Sequence, residues 1–296
     1  MATPPSITTA ESEAVPLAVW PCAQTTARWQ RTGRYVPEST RHPGKMLPEL
    51  ARRILTEYSQ PGDIVVDPMC GIGTTLVEAA ALGRRCIGVE LEERWVAIAR
   101  DNLRMALTSR QRSLTDVRLG DARSLATLVK GFRGRTELVV TSPPYECEAG
   151  VIDKRAWLRG RRLCDASTLN YSSDPENIGH ARGAQYQSAM AAVYAQCSAV
   201  LRPGGLLVTV TKNMRNRRRL VDLASITIEL ARAAGFGYVQ HNIALHAAVR
   251  HGELVSRPSF WQLNQTGRAR QSGLALHLIA HEDVLVFMKP KVTSHE

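Results

Sequence analysis

The sequence lacks the features that mark membrane, secreted and zinc proteins. It has no run of about eighteen apolar residues, the length that a membrane-spanning helix needs. Residues 1–16 are polar and show no basic-then-apolar signal pattern, so export is not expected. The six cysteines form no C-x-x-C pair and no zinc-site spacing, which predicts reduced thiols, a cytoplasmic protein and no metal. The chain also has no G-x-x-x-x-G-K-[ST] loop, which disfavours a nucleoside triphosphate as ligand.

What the chain does have is enough apolar sequence for a core and a large excess of positive charge. Its 296 residues are 44% hydrophobic, which suits one large α/β domain. We expect residues 1–25 to form a disordered lead-in, residues 26–290 the domain and residues 291–296 a tail. The net charge of +11 indicates a polyanionic partner, although charge alone is weak evidence.

Buried strands and amphipathic helices alternate along the chain. Four apolar runs are typical of strands covered on both faces: 64–66, 138–140, 206–208 and 284–287. Helical spacing of apolar side chains predicts four core-facing helices, through Leu47-Leu50-Ile54-Tyr58, Val96-Ala99-Leu103-Ala106, Tyr186-Met190-Val193-Cys197-Val200 and Leu220-Leu223-Leu230-Ala234. This alternation predicts a doubly wound, mostly parallel sheet.

Two long segments interrupt this pattern. Residues 146–184 are rich in charge, glycine and asparagine, and residues 246–281 are polar and irregular. Loops of such length inside a compact domain are usually functional or disordered. We therefore interpret both as irregular inserts and candidate nucleic-acid recognition segments.

A glycine-rich turn directly follows the first buried strand and opens a helix. It runs from Asp67 through Gly71 and Gly73 to Thr75. The two glycines allow a tight turn and a close approach of backbone to ligand, and the helix N-terminus beyond offers N–H groups. A lone G-x-G is often only structural, so its interpretation as a ligand site depends on the strands that come after it.

Two acidic residues end the next two predicted strands. Glu90 ends the second strand, where a carboxylate can accept both hydroxyls of a ribose. Asp121 follows a third strand near Val117-Arg118-Leu119 and can accept a hydrogen bond from an adenine amino group. A solvated acid and a turn aspartate are the alternatives. Together with the glycine loop, these residues predict a site for a nucleoside-containing cofactor.

The fourth buried strand ends in Thr141-Ser142-Pro143-Pro144-Tyr145. Open α/β sheets bind their ligands at this end of the strands. The two prolines stiffen the backbone, so that their carbonyls, together with the Ser142 hydroxyl, can accept the protons of an amino group. The Tyr145 ring can cover the face of a planar base. Outside this context the motif is commonly just a turn.

The combination and order of these motifs resemble the amino-group DNA methyltransferases, the N4-cytosine/N6-adenine family. Asp67 to Thr75 resembles its D-P-F-x-G-x-G-T-T motif, with Met69 in place of phenylalanine, and Thr141 to Tyr145 resembles its S/N/D-P-P-Y/F motif. Segments 42–46, 202–205 and 281–283 also fit, so the resemblance covers roughly residues 41–290. It implies a seven-stranded Rossmann-like class I methyltransferase fold and S-adenosylmethionine as cofactor.

The resemblance assigns roles to individual residues. Those implied to bind S-adenosylmethionine, with Lys45 near its methionine end, are Lys45, Asp67, Met69, Gly71, Gly73, Thr74, Thr75, Glu90 and Asp121. Those implied to be catalytic are Ser142, Pro143, Pro144 and Tyr145. Serine at 142 favours cytosine N4 over adenine N6, and a companion restriction nuclease and a nucleoid-associated location are further expectations.

Two basic clusters lie near the predicted active edge. The arginines and lysine that we expect to contact phosphates are Arg155, Arg159, Arg161, Arg162, Lys212, Arg215 and Arg217. Solvated charged faces are the alternative. Within 246–281, the polar and aromatic side chains are candidates for reading base edges. A duplex base would first have to be flipped out of the stack.

Three other functions stay open from the sequence. An RNA base amino-methyltransferase is the nearest, although no appended RNA-binding module is recognisable. A non-catalytic regulator that binds S-adenosylmethionine or DNA is disfavoured by the intact 142–145 motif. A small-molecule methyltransferase would not need two basic clusters. The recognition sequence and the oligomeric state cannot be read from the chain.

Overall fold

The computed structural model of the chain describes residues 16–145, 174–216, 219–257 and 260–291. The strands are β1 (Val19–Trp20), β2 (Ile64–Asp67), β3 (Arg85–Glu90), β4 (Thr115–Leu119), β5 (Thr136–Thr141), β6 (Leu201–Thr211), β7 (Met214–Asn216), β8 (Arg219–Val221), β9 (Gly237–Leu245), β10 (Ala247–Arg250), β11 (Glu253–Ser256) and β12 (His281–Met288). The α-helices are α1 (Ala27–Arg31), α2 (Pro48–Tyr58), α3 (Thr74–Ala81), α4 (Glu93–Ala106), α5 (Ser109–Arg112), α6 (Leu125–Leu128), α7 (Ala184–Val200), α8 (Leu223–Ala233) and α9 (Phe260–Gln271). Short 3₁₀ turns lie at Pro37–Arg41, Ala122–Ser124, Lys130–Phe132 and Ile178–His180.

The main sheet confirms the predicted fold class. Its order is β1-β9-β12-β6-β5-β2-β3-β4. All neighbouring strands are parallel except β12, which is antiparallel to both β6 and β9. The seven strands from β9 to β4 form a sheet of the size that the resemblance implies, and the two-residue β1 adds an eighth strand at its edge. The strand order reverses between β2 and β5, and open α/β sheets bind their ligands at such a switch point.

The four apolar runs form the central strands, as predicted. Within them, successive side chains alternate between two cores, one on each face of the sheet. Val65 and Leu138 pack into the core under α2, α3 and α4. Val66 and Val139 pack into the core under α7 and α8. Because both faces are covered by helices, no polar alternation appears in these strands.

Three of the four predicted helical stripes are confirmed, and the fourth is partly wrong. The stripes of α2, α4 and α7 point into the two cores. The fourth fails at its start, because Leu220 lies in β8 and is exposed. The buried residues of α8 are instead Leu223, Ala224, Thr227 and Ala231. Two alanines and a threonine belong to this buried face, so a prediction based on the spacing of large apolar side chains located the face incorrectly.

The boundary of the lead-in and the irregularity of the second insert are corrected by the structure. Val19 and Trp20 pair with β9, and Trp20 and Cys22 are buried, so the fold begins before residue 26. The segment 246–281 contains the antiparallel hairpin β10–β11 and the helix α9. Cys22, Cys70, Cys86 and Cys197 are buried and unbridged. Among the described residues, no helix is long and apolar enough to cross a membrane.

Candidate active site

The glycine loop, Glu90, Asp121 and the Ser142–Tyr145 corner all follow or end strands at one edge of the sheet. β2, β3, β4, β5 and β6 all end there, and the antiparallel β12 begins there. In the β2–β5 ladder Val66 lies opposite Val139, so Asp67 and the turn after it lie beside the end of β5. The topology therefore brings the glycine loop and the Ser142–Tyr145 corner onto neighbouring strands.

The glycine loop has the backbone that its sequence predicts. Gly71 and Gly73 adopt left-handed φ angles of 52° and 79°, and Gly73 is the N-cap of α3. A Cβ at Gly71 would lie 3.1 Å from His42 Nε2. At Gly73 it would lie 3.2 Å from the Ala99 Cβ. Both glycines are thus required by close packing within the protein as well as by their backbone angles.

Glu90 joins the tip of β3 to this loop. Its Oε2 accepts a hydrogen bond from the Gly71 N–H at 2.9 Å, and its Oε1 accepts one from the Glu92 N–H, also at 2.9 Å. Burial raises the pKa of the Glu90 carboxyl, and these backbone donors partly oppose the rise. The carboxylate keeps lone pairs beyond the two that the backbone uses, since it can accept about four hydrogen bonds.

Asp67 is the second buried carboxyl of the loop. Its Oδ1 accepts a hydrogen bond from the Met69 N–H at 3.1 Å, and the Thr75 hydroxyl also bonds to it. Burial raises the pKa of Asp67 to about 7, and the nearby Glu90 raises it further. In the described part of the chain, neither carboxylate forms an ion pair. Two buried, unneutralised carboxylates fit S-adenosylmethionine, which carries a sulfonium, an ammonium and two ribose hydroxyls.

The N-terminal motif places His42 rather than Lys45 against the loop. His42 is buried between Gly71 and Trp95, whose ring centroid is 4.6 Å from that of His42. Burial lowers the pKa of His42 to about 3, so the ring is neutral. The Lys45 ammonium instead donates to the carbonyl oxygens of Thr40 and His42. Burial, aided by Arg31, lowers the pKa of Lys45 to about 8.

Asn102 is a residue of this region that the sequence reasoning missed. Its side chain is fully buried and donates to the Ile72 carbonyl of the glycine loop at 2.8 Å. Its Oδ1 accepts from the Val36 N–H at 2.8 Å and from the Ser39 hydroxyl at 3.0 Å. A buried amide with all these bonds fixes the loop to the N-terminal segment. A single polar residue in an otherwise apolar helix face was the available signal.

Asp121 has a different environment from the one predicted. Both of its carboxylate oxygens accept hydrogen bonds from the Arg123 guanidinium, and Oδ1 also accepts from the Arg123 N–H at 2.7 Å. Arg123 in turn pairs with Glu176 at 2.8 Å. Hydrogen bonds from Arg123 outweigh the effect of burial and hold the pKa of Asp121 below its usual value. A contact with adenine would have to compete with this pair, so that role remains a proposal.

The Ser142–Tyr145 corner follows β5 directly, as predicted. Pro143 is buried, whereas Ser142, Pro144 and Tyr145 are half-buried. The Tyr145 hydroxyl donates to Glu282 Oε1 at 3.1 Å, and Ser142 also bonds to this hydroxyl. Burial and the Glu282 charge raise the pKa of Tyr145 well above its usual value, so the phenol stays protonated.

A polar cluster that was not predicted as a site surrounds Glu282. His246 Nε2 lies 3.1 Å from Glu282 Oε2. Lys212 is buried beside Glu282 and Asp283. Asp283 pairs in addition with His241 Nε2 at 2.9 Å. The partial fit of segment 281–283 to the family motif was the signal, but no residue there had been assigned a role.

The predicted phosphate contacts are described only in part. Arg155, Arg159, Arg161, Arg162 and Arg217 lie outside the described residues. Arg215 is half-buried. Lys212 is only 7% exposed, and the charges of Glu282 and Asp283 act on it, so its contact with a phosphate remains a proposal.

The second insert is tied to the N-terminal segment. Arg250 donates to the Gln24 side chain and carbonyl at 2.8 and 2.5 Å, and Arg257 donates to the Ala23 carbonyl at 3.0 Å. In α9, Arg268 is exposed and is available to a partner. Within the described residues, no group of three or more His, Cys, Asp or Glu side chains is arranged to hold a metal ion.

Comparison with known proteins supports the resemblance to the amino-group DNA methyltransferases. Residues 5–101 match the N6/N4 methyltransferase family model, described as DNA methylase. The predicted resemblance to the amino-group DNA methyltransferases is thereby confirmed, although the matched region is shorter than the predicted one and ends before Ser142. The cofactor that this family and fold imply is S-adenosylmethionine.

Individual relatives divide between RNA and DNA enzymes. The tRNA (guanine(10)-N2)-dimethyltransferase of Methanothermobacter thermautotrophicus is 31% identical over 44% of this chain and 36% of its own length. The Type II methyltransferase M2.DpnII of Streptococcus pneumoniae is 41% identical over 21% of this chain and 24% of its own. The chain thus spans about a third or less of these relatives. Among solved structures, TrmN from Thermus thermophilus is similar with a TM-score of 0.47 and 17% identity, covering 88% of this chain and 53% of that one.

Proposed function

From the confirmed resemblance to the amino-group DNA methyltransferases, we propose that this chain transfers a methyl group to an exocyclic amino group of a nucleic-acid base, with cytosine N4 in DNA as the preferred acceptor. The observation that carries the proposal is the adjacency of β2 and β5. β2 ends in the glycine loop, which contains the buried Asp67 and is hydrogen-bonded to the buried Glu90 of β3, and β5 ends in the Ser142–Tyr145 corner. When bound, S-adenosylmethionine supplies an electrophilic methyl group.

The corner residues act on the acceptor amino group. The lone pair of a cytosine amino group is delocalised into the ring, which makes the nitrogen a poor nucleophile. Hydrogen bonds from the NH₂ to Ser142 Oγ and the Pro143 carbonyl would favour a tetrahedral nitrogen with an available lone pair. Holding the nitrogen in line with the methyl group can lower the barrier by about 7–11 kcal/mol in favourable cases. No covalent intermediate with the enzyme is needed.

Access to the amino group requires the base to leave the duplex. Flipping costs a few kcal/mol, and stacking on the Tyr145 ring would return about 1–3 kcal/mol. The prolines next to Tyr145 limit backbone motion, so the ring and the two acceptors form one rigid frame. The basic residues around 155–162 and at 215–217 are proposed to hold the flanking phosphates.

A second candidate is methylation of a base amino group in RNA. It is favoured by one observation, the longer match to the tRNA enzyme than to the Type II enzyme. DNA is preferred because the family model is that of a DNA methylase and because serine stands at position 142 of the motif. Adenine N6 is the alternative acceptor within DNA.

The test compares methyl transfer from tritiated S-adenosylmethionine to duplex genomic DNA and to bulk tRNA, followed by nucleoside analysis. We expect N4-methylcytosine in DNA. Methylation of tRNA alone would favour the second candidate, methylation of a base amino group in RNA. No transfer to either nucleic acid would overturn it and would favour a regulator or a small-molecule enzyme.

Variants test whether the Ser142–Tyr145 corner acts in methyl transfer while the glycine loop binds the cofactor. We expect Ser142→Ala to lower kcat about 100-fold or more, because the amino group loses its alignment, and Ser142→Ala combined with Tyr145→Ala to abolish transfer. Binding of S-adenosylmethionine, measured by calorimetry, should survive in both. Ser113→Ala, at the opposite edge of the sheet, is the control. A loss of cofactor affinity as large as the loss of rate would contradict these roles.

A further inference from the structure

The acidic residue at the start of β12 lies in an unusual position for a buried charge. The Glu282 side chain is 13% exposed, and each of its oxygens lies close to a side chain from another part of the chain. Oε1 accepts the Tyr145 hydroxyl hydrogen bond at 3.1 Å, and Oε2 lies 3.1 Å from His246 Nε2. Glu282 therefore hydrogen-bonds the aromatic residue of the catalytic corner through Oε1, and His246 lies next to its other oxygen.

Glu282 and its three neighbours come from four separate parts of the chain. Tyr145 follows β5, Lys212 follows β6, His246 separates β9 from β10, and Glu282 itself opens β12. Asp283 lies opposite Thr211 in the β12–β6 ladder, so Glu282 lies level with Lys212. A buried carboxylate costs several kcal/mol unless it is paired and hydrogen-bonded. Burial raises the pKa of Glu282, but the neighbouring His246, the charge of Lys212 and the Tyr145 hydrogen bond outweigh it and hold the pKa below its usual value.

The hydrogen bond between Glu282 and the Tyr145 hydroxyl joins this cluster to the catalytic corner. A tyrosine ring on a half-buried loop can turn about its side-chain torsions, and a base stacked on it would turn with it. A hydrogen bond at the far end of the ring removes that freedom. A bond to a charged acceptor is also stronger than one between neutral groups.

We propose that Glu282 is a positioning residue for methyl transfer, which holds the Tyr145 ring in the plane on which the acceptor base stacks beside Ser142 and Pro143. This inference rests on the proposed function. His246 and Lys212 keep Glu282 in place and ionised. Glu282 does not touch the base and takes no proton from it.

The inference predicts a specific kinetic signature. A ring that is free to turn still offers an apolar face, so KM for the nucleic acid changes by less than about threefold. The base then samples misaligned poses, and kcat falls about tenfold, less than the roughly hundredfold loss that a 1 Å misplacement can cause. A residue that only stabilised the fold would lower the amount of active enzyme without this division between kcat and KM.

Four variants separate positioning from stability. Tyr145→Phe keeps the ring and removes the donor, and Glu282→Ala removes the acceptor. Glu282→Ala should lower kcat about tenfold, and Tyr145→Phe at least tenfold, because it also removes the bond between Ser142 and the Tyr145 hydroxyl. Adding Glu282→Ala to Tyr145→Phe should lower kcat no further, since the bond that the two variants share is already absent. Glu282→Gln keeps an acceptor oxygen and should retain kcat within about threefold of wild type.

The matched control is Asp283→Asn. It removes one buried negative charge from the neighbouring residue of the same strand but leaves the Tyr145 bond intact. Its kcat should stay within about twofold of wild type. The rates are measured on whichever of duplex genomic DNA or bulk tRNA the wild type methylates, and cofactor affinity is measured alongside.

The outcomes are distinct. Unchanged kcat in both Tyr145→Phe and Glu282→Ala overturns the inference and leaves the proposed function standing. Effects that multiply in the double variant overturn it as well, since they would arise from separate causes. If Glu282→Ala fails to fold, Tyr145→Phe and Glu282→Gln still decide, because each keeps a side chain of nearly the same size at its position. A wild type that methylates neither nucleic acid overturns the proposed function, and this inference with it.

Discussion

Replacement of Gly71 by alanine tests whether the glycine loop is built for a ligand as well as for the fold. The backbone cost comes first. Gly71 has a φ of 52°, and placing an L-residue in the left-handed region costs about 1–2 kcal/mol. A new Cβ would also lie 3.1 Å from His42 Nε2, and the edge contact with Trp95 restricts the His42 ring.

The loop or the ring must therefore shift by a few tenths of an ångström. The bond at risk is the one from the Gly71 N–H to Glu90 Oε2, at 2.9 Å. A hydrogen bond to a charged group contributes about 1.5–3 kcal/mol, and part of it would be lost. We expect Gly71→Ala to lower the free energy of unfolding by about 2–4 kcal/mol. We also expect it to weaken binding of S-adenosylmethionine at least tenfold, because Glu90 loses its fixed place.

Gly235→Ala is the matched control, because Gly235 has a φ of 88° and a Cβ there meets nothing within 4 Å. It should cost only the backbone contribution of about 1–2 kcal/mol and leave cofactor binding unchanged. Chemical denaturation gives the two stabilities and calorimetry the two affinities. Equal losses of stability in the two variants, or wild-type affinity in Gly71→Ala, would refute the reasoning.

Two further predictions concern the N-terminal segment and the charge state of the loop. Trp20→Ala should lower the free energy of unfolding by about 3–5 kcal/mol, since Trp20 is only 5% exposed. Trp29→Ala is the control and should cost less than about 0.5 kcal/mol, because Trp29 is 70% exposed. Equal melting temperatures of the two variants would show that the N-terminal segment is not part of the core. The pKa of Asp67 is raised from 3.8 to about 7 by burial, so its contribution to stability is present below pH 3.8 and is lost as the pH rises through 7. Without cofactor, the stability of wild type relative to Asp67→Asn should therefore fall across that pH window, and a constant difference in melting temperature would contradict this.

The sequence predicted the parts of the fold where a single physical rule dominates. A strand that is covered on both faces must be apolar throughout, because each of its side chains is buried. The runs around Val65, Leu138, Leu207 and Leu285 all form such central strands. The glycine loop and the corner at Ser142 were predictable for a similar reason. Each needs unusual backbone at the end of a strand, and glycine and proline are the residues that permit or impose it.

Other elements were missed where several weak influences act together. β9 carries Gln240, His241 and Asn242, which makes it look like a polar loop, and its pairing with β12 is what holds it in the sheet. Trp20 joins the fold through a contact with a strand more than two hundred residues later. Such long-range pairing leaves no local pattern.

Within the site, the missed residues share one property. His42, Asn102 and Glu282 were given no role from the sequence, and each contacts the glycine loop or the Ser142–Tyr145 corner. Their positions depend on how distant segments pack, which periodicity does not reveal. Asp121 shows the converse, because its motif position was recognisable but its pairing with Arg123 was not.

The antiparallel β12 has a consequence for the order of assembly. It separates β6 from β9, although both are synthesised before it. A nascent chain that has emerged only as far as residue 280 therefore lacks the strand that pairs with both β6 and β9. In that state the Tyr145 hydroxyl also lacks its Glu282 acceptor, so a truncated translation product carries both the glycine loop and the Ser142–Tyr145 motif but lacks a contact that joins this motif to the sheet.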